Sequence, residues 1–213
     1  MQQFNTERGA VVVKVAQSVE EILAYTLDDG LGFFWHNRPD LQRDALVKIA
    51  AQPAGRVVIA IGGGRIIGYV TITLPDEDER WGRDRIAKLY ELGGIEVGRN
   101  WRGLGLSRAL LSEAFADGTY DEAIVLATGY RWCWDYEWSG LSVRQYREVL
   151  HKTMRRFGFE QFDTDEPNIA WYPENALVAR MGRRAPKELV AKFKALLFEN
   201  LGSDYAFSEF VGR

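Results

Sequence analysis

Residues 98–111 read GRNWRGLGLSRALL, directly after the apolar run LYELGGIEV (89–97). Arg102, Gly103, Gly105, Ser107 and Arg108 thus crowd the mouth of a helix-like pattern. A helix start leaves backbone N–H groups unpaired and carries partial positive charge. Glycines let those N–H groups approach a ligand with no side chain in the way, and the arginines add full charges at the same end. This is the chemistry of an anion cradle suited to phosphate. The same glycines also serve a plain, tight strand-to-helix turn, and Gly-x-Gly alone does not choose between the two. Two phosphate motifs fit badly. A Walker A loop needs a lysine after its second glycine, and none follows Gly105. A dinucleotide fingerprint needs a third glycine and an immediate start after the strand, and both are missing.

A third pattern fits. RGLGLS resembles Q/R-x-x-G-x-G/A, the pyrophosphate loop of the GNAT superfamily of acyltransferases. Arg102 stands in the first place and Gly105 in the fourth, with Ser107 where glycine or alanine is usual. Longer strings, GRVVIAIGGGRIIGYVTITLPDEDERW (55–81), ELGGIEV with WRG (91–103), and TDEP with ENALVARMG (164–182), are similar to the acetoin-utilisation branch of that superfamily, as is the aromatic insert YRWCWDYEW (130–138). The resemblance implies acetylation of a lysine of acetyl-CoA synthetase, which switches that enzyme off.

The resemblance implies acetyl-CoA as co-substrate, its pyrophosphate on the N–H groups of Gly103, Leu104, Gly105, Leu106 and Ser107, beside Arg102 and Arg108. It also implies that the pantetheine arm pairs with the strand near Ile95 and Val97, where an N–H can hold the oxyanion. The acceptor amine, with an ordinary pKa of about 10.4, must lose a proton before it attacks. Glu91 and Glu96 are the candidate bases; Glu91, eleven residues before Arg102, matches the base position of the histone-acetylating branch. In an unbulged strand the two glutamates face opposite sides, so only one is expected to reach the amine. The usual tyrosine acid is replaced by Met154, which leaves Tyr130 and Tyr146 as substitutes by residue type. Two other readings stay open: an acetyltransferase for a small amine, which predicts a closed acceptor pocket instead of an open face, and a non-catalytic regulator that senses acetyl-CoA.

The elements that must position these residues read as follows. AVVVKVA (10–16) is a strand, and Ser18 caps a helix over VEEILAYTL with Glu21 at capping-box spacing. A helix spans 39–52, and two β-branched runs around Gly62–Gly64 form a hairpin. Residues 76–85 read as a charged loop and 88–97 as a strand in which Gly93 and Gly94 suggest a bulge. Then come a helix (104–118), a buried strand (122–128), a helix (142–158), strands in FEQFDT and NALVARMG, and a last helix (186–202). The expected fold is α/β, with a mixed, mostly antiparallel sheet, a bulged central strand and helices on both faces. A GNAT domain over 1–182 carries a helical extension, 183–213, packed on the same domain.

At 213 residues and 46% hydrophobic, the chain can bury a core without staples. Its net charge of −3 gives no electrostatic support to a nucleic-acid role. One cysteine, Cys133, excludes an internal disulfide and suggests a reducing cytoplasm. With His36 and His151 as the only histidines, no metal site is expected. The apolar run near the start is too short for a signal peptide or a membrane span. Cys133, between two tryptophans, is expected to be an apolar filler; Trp132, Trp134, Tyr136 and Trp138 suit a clasp for a partner, with core or lid packing as the default. Arg183, Arg184 and Lys187 are candidates for the 3′-phosphate of coenzyme A, with a solvated loop as the default.

Overall fold

A computed structural model describes residues 1–35 and 37–199. His36, and residues 200–202 of the expected last helix, lie outside the described residues. The strands are β1 (Gln2–Thr6), β2 (Gly9–Val15), β3 (Thr26–Leu27), β4 (Arg56–Gly62), β5 (Arg65–Thr73), β6 (Leu89–Val97), β7 (Ile124–Gly129), β8 (Phe159–Phe162) and β9 (Ala176–Met181). The helices are α1 (Val19–Leu23), α2 (Pro39–Ala50), α3 (Arg80–Arg83), α4 (Leu106–Phe115), α5 (Tyr136–Ser139), α6 (Val143–Arg155), α7 (Pro167–Ala170) and α8 (Lys187–Ala195). The sheet runs β1-β2-β4-β5-β6-β7-β9-β8, with β3 beside the start of β5. Apart from β6–β7 and the two-residue β3–β5 contact, which are parallel, every pairing is antiparallel.

Alternation along the strands feeds two faces. One face buries Val58, Val70, Ile72, Val125 and Val178 under Leu110 of α4 and Met154 of α6. The other has two cores. Ile22 of α1 and Leu46 of α2 cover Ile59 and Tyr69, while Leu189 and Phe193 of α8 cover Leu89, Leu126 and Leu177. Helices therefore lie on both faces of a mixed sheet, as expected from the sequence.

Several boundaries differ from the sequence reading for local reasons. β1 was not foreseen; its alternating half-exposed pattern, QQFNT, carries too few apolar residues to signal a strand, and pairing with β2 forms it. The first helix stops at Leu23 instead of continuing through Leu27, because Thr26 and Leu27 pair with Arg65 and Ile66 of β5. The helix after the loop starts at Leu106, since Gly105 holds φ +79°, which no helix residue adopts. The charged loop contains α3, whose Trp81 is 1% exposed. The full capping box falls on Ser142 and Gln145, at the start of α6.

Trp81 fills the space between β6 and α8, its ring centroid 6.4 Å from that of Phe193. Trp81→Ala is expected to cost about 3–5 kcal/mol of unfolding free energy by leaving a cavity there. Urea titration followed by circular dichroism measures it.

Candidate active site

The loop that opens α4 has the geometry of an anion cradle. Gly103 and Gly105 sit at φ +83° and +79°, and a Cβ at either would meet nothing within 4 Å. The space in front of both is open, and the left-handed conformation is what requires glycine. Arg108 N–H is the first of the run to bond back within the turn, to Gly105 O at 3.1 Å. By helix geometry the N–H groups of Leu106 and Ser107 stay free. Arg108 and Arg156, the latter capping α6, line the adjoining hollow with Gly105, and neither has a carboxylate partner among the described residues. Arg102 is differently engaged. Its Nε donates to Val97 O (3.1 Å) and its Nη2 to Asp135 (2.8 Å), and its guanidinium lies 4.9 Å from the Trp138 ring centroid.

β6 and β7 pair only at Leu89–Glu91 with Ile124–Leu126, then part. Beyond Glu91 the inner edge of β6 faces a cleft of about 450 Å³, lined by residues 92–97, Thr128 and Gly129 of β7, Tyr146 and Met154 of α6, and the α4 loop. Gly98 N–H bonds to Ile67 O of β5 at 2.8 Å. Alternation along the strand therefore turns the N–H groups of Ile95 and Val97 toward the cleft. Phe33 and Phe34, from the opposite face, also line it, so the parting opens a passage through the sheet.

The register places both glutamates. Thr71 pairs with Gly94 and Ile72 with Leu92, so Gly93 is the extra residue of a bulge. Glu91 then opposes Thr73 and Glu96 opposes Tyr69. Thr73 and Tyr69 share a face, and so do the two glutamates; the opposite-face expectation for an unbulged strand is thus corrected by the bulge. Their surroundings still differ. Glu96 is 6% exposed and accepts from Gly32 N–H (3.2 Å), Phe33 N–H (2.9 Å) and the Tyr69 hydroxyl (2.6 Å). Glu91, at the apex of the parting, accepts among the described residues only from the Thr128 hydroxyl (3.2 Å). Burial, and then the charge of Glu79, push its pKa up to about 7, with Thr128 partly opposing.

The two tyrosines lie on different faces. Tyr146 lines the cleft and stacks on Trp134 at 6.1 Å. Tyr130 packs on the Glu91 face and stacks on Trp132 at 4.9 Å. Burial raises the pKa of both, so both remain neutral donors at neutral pH. Cys133 and His151 also line the cleft; burial raises the thiol and lowers the imidazole, so both are uncharged near neutrality. Arg184 pairs with Asp121 and Glu122 at the start of β7, the end of the sheet away from the α4 loop, which is far from where a 3′-phosphate grip would be needed. Asp135, which the sequence reading did not single out, is 6% exposed and binds both Arg99 and Arg102. Arg156 was missed as well, since a basic residue near a helix end is commonplace. Among the described residues no group of three His, Cys, Asp or Glu side chains stands together for a metal, and no helix is long and apolar enough to cross a membrane.

A mixed sheet that parts beside a glycine-lined helix start defines a class. The model of the acetyltransferase (GNAT) family matches residues 21–129, and the chain belongs to that family of N-acetyltransferases. Within it the chain is similar to the acetoin utilization proteins AcuA of Bacillus licheniformis (36% identical over 199 residues, 93% of each chain) and Bacillus subtilis strain 168 (37% over 195 residues, 92% of each). The crystal structure of an acetoin utilization protein from Exiguobacterium sibiricum superposes with a TM-score of 0.89 at 39% identity, covering 92% of both chains.

Glu91 also ties stability to pH. Its carboxyl is neutral in both folded and unfolded states well below pH 4.5 and ionised in both well above 7, so its burial penalty develops between those values. Glu91→Gln is expected to gain stability over the parent as pH rises through that window and to hold the gain above it. Denaturant midpoints at pH 4, 6 and 8 measure this.

Proposed function

We propose that this chain transfers the acetyl group of acetyl-CoA to the ε-amine of a lysine in a protein, with acetyl-CoA synthetase as the acceptor. In this reading the chain restrains the synthetase when acetyl-CoA is ample. The observation that carries the chemistry is Glu91, held near neutral pKa at the apex of the parted strands. The likeness to acetoin utilization proteins over nearly the whole chain supports the choice of acceptor.

The N–H groups of residues 103–107, with Arg108 and Arg156 beside them, take the phosphates. The pantetheine arm enters the cleft and pairs with Ile95 and Val97 as an added strand would. One of those N–H groups faces the thioester oxygen and holds the charge that develops there. The lysine approaches through the passage from the Phe34 side. Glu91 accepts its proton, directly or through one water; a base with a pKa near the working pH is the most effective. The amine nitrogen then bonds to the carbonyl carbon, the C–S bond breaks, and Tyr146, a neutral phenol lining the cleft, protonates the departing thiolate. Glu96, whose oxygens accept from Gly32, Phe33 and Tyr69, is given no proton transfer in this scheme. Its role is to fix residues 32–34 against β6.

An open acceptor side favours a protein over a small amine. Phe34, which lines the passage, is 37% exposed, where a pocket for a small amine would bury it.

Incubation with labelled acetyl-CoA and purified synthetase is expected to label one lysine and reduce synthetase activity in step. Glu91→Gln is expected to lower the transfer rate by about 10²–10⁴-fold with little change in coenzyme A affinity. The parent rate should rise with pH to a plateau with an apparent pKa of about 7. Full synthetase inhibition without label would identify a binder instead of an enzyme.

A further inference from the structure

On the Glu91 side of the sheet the loops after β7 and around α7 build an aromatic platform. Tyr130 and Trp132 stack with planes 8° apart, and Tyr172 meets Trp132 edge-on at 5.6 Å. The platform is held from beneath. Asn175, 4% exposed, accepts from Arg131 N–H at 2.8 Å and donates to Asn168 O at 2.6 Å. Trp132 is nonetheless 52% exposed and Tyr172 39%. Rigid aromatics facing solvent beside a reaction centre offer contact area at little entropic cost, as binding surfaces do.

Charge of both signs borders the platform, and the Arg131 guanidinium lies 5.8 Å from the Tyr172 ring centroid. Glu79 is exposed, and its side chain makes no hydrogen bond or ion pair among the described residues. It lies close enough to act through space on both Glu91 and Tyr130, with Asp76 and Glu166 adding to the same field. Nearby cations are already matched: Arg80 by Asp165 and Glu199, Arg131 by Glu174. The face is therefore aromatic at its centre, its cation there, Arg131, is paired with Glu174, and Glu79 adds acidic charge at the rim; it is continuous with Glu91 through Thr128 and Tyr130.

We propose that this face docks an extended segment of the protein substrate that carries, beside the acceptor lysine, a second basic residue seated between Glu79 and the Trp132 ring. The inference rests on the lysine acetyltransferase reading and adds to it a rule for choosing the lysine. A cation over an indole face with a carboxylate alongside gains from both contacts. An acidic residue at the same place meets like charge.

Three peptides that differ only in the residues flanking one lysine, arginine, alanine or aspartate, test it. Initial rates of acetyl transfer are measured with the parent protein, Glu79→Lys and Trp132→Ala. The parent is expected to favour the arginine peptide over the aspartate peptide by about tenfold, mainly in KM. Glu79→Lys should reverse that order, and Trp132→Ala should shrink the ratio toward unity. The ratio between peptides does not depend on the basicity of Glu91, which all three share. Equal rates for the three peptides, or a ratio unmoved by Glu79→Lys, would overturn the docking rule and leave the acetyltransferase reading standing. No transfer to any peptide or to the synthetase would overturn both. If Trp132→Ala turns a dimer into a monomer in sedimentation while the peptide ratio stays unchanged, the platform belongs to a second copy of the chain and the rule is wrong.

Discussion

The site depends on β6 and β7 pairing for three residues and then parting. A parallel pair inside a sheet normally satisfies both inner edges, and an unpaired buried edge costs free energy. Here the inner edge of β6 is left facing the cleft, with the N–H groups of Ile95 and Val97 turned into it, the arrangement that the proposed binding of the pantetheine arm would use. Every other feature of the site falls at a fixed distance from that fork. The α4 loop is at its mouth, Glu91 at its apex, and α6 closes one side.

Holding a fork open requires that each bank be fixed from outside. β7 is held by β9 along its whole length, from Ile124 to Gly129. β6 is held by β5, and its far end is clamped where Arg102 takes the Val97 carbonyl and Asp135 ties Arg102 to Arg99. Asp135 belongs to the aromatic insert that follows β7, so the clamp joins the two banks across the gap. With its carboxylate 6% exposed and bound by both guanidiniums, it offsets much of the positive charge that the sequence places near the loop. Arg108 and Arg156, one foreseen and one not, line the hollow beside the loop without a carboxylate partner among the described residues.

Order of elements, the helix start after β6, the bulge and the two-sided helix layers were legible because each has a local cause. Gly63 and Gly64 take φ +56° and +76°, as a tight hairpin needs, and Gly105 ends the strand-to-helix turn as its residue type demands. What was not legible depended on partners distant in sequence. β1 exists through β2, α3 through the space Trp81 fills against α8, and Asp135 gains its meaning only from Arg99 and Arg102, more than thirty residues earlier. The facing of the two glutamates was conditional on the bulge. The glycines announced it, and the register, with Gly93 as the extra residue, then put both on one side.

That shared face makes Glu91 and Glu96 a natural comparison: one residue type, one strand, five positions apart, with opposite uses. A carboxylate that receives three hydrogen bonds is held in place by them. Glu96 therefore spends its charge on structure, pinning Gly32 and Phe33 and, through them, placing Phe34 beside the Gly94 backbone. Glu91 receives a single donor and is half enclosed by apolar neighbours, with Glu79 adding repulsion. Its ionised form is the costly one, so a proton is welcome. The same bulge that brings both residues to one face separates their environments, because it lies between them: the strand before it packs under α8, and the strand after it meets the loop between α1 and α2. In the proposed reaction, one inserted glycine thus divides a single strand into a stretch that moves a proton and a stretch that holds the wall past which the amine comes.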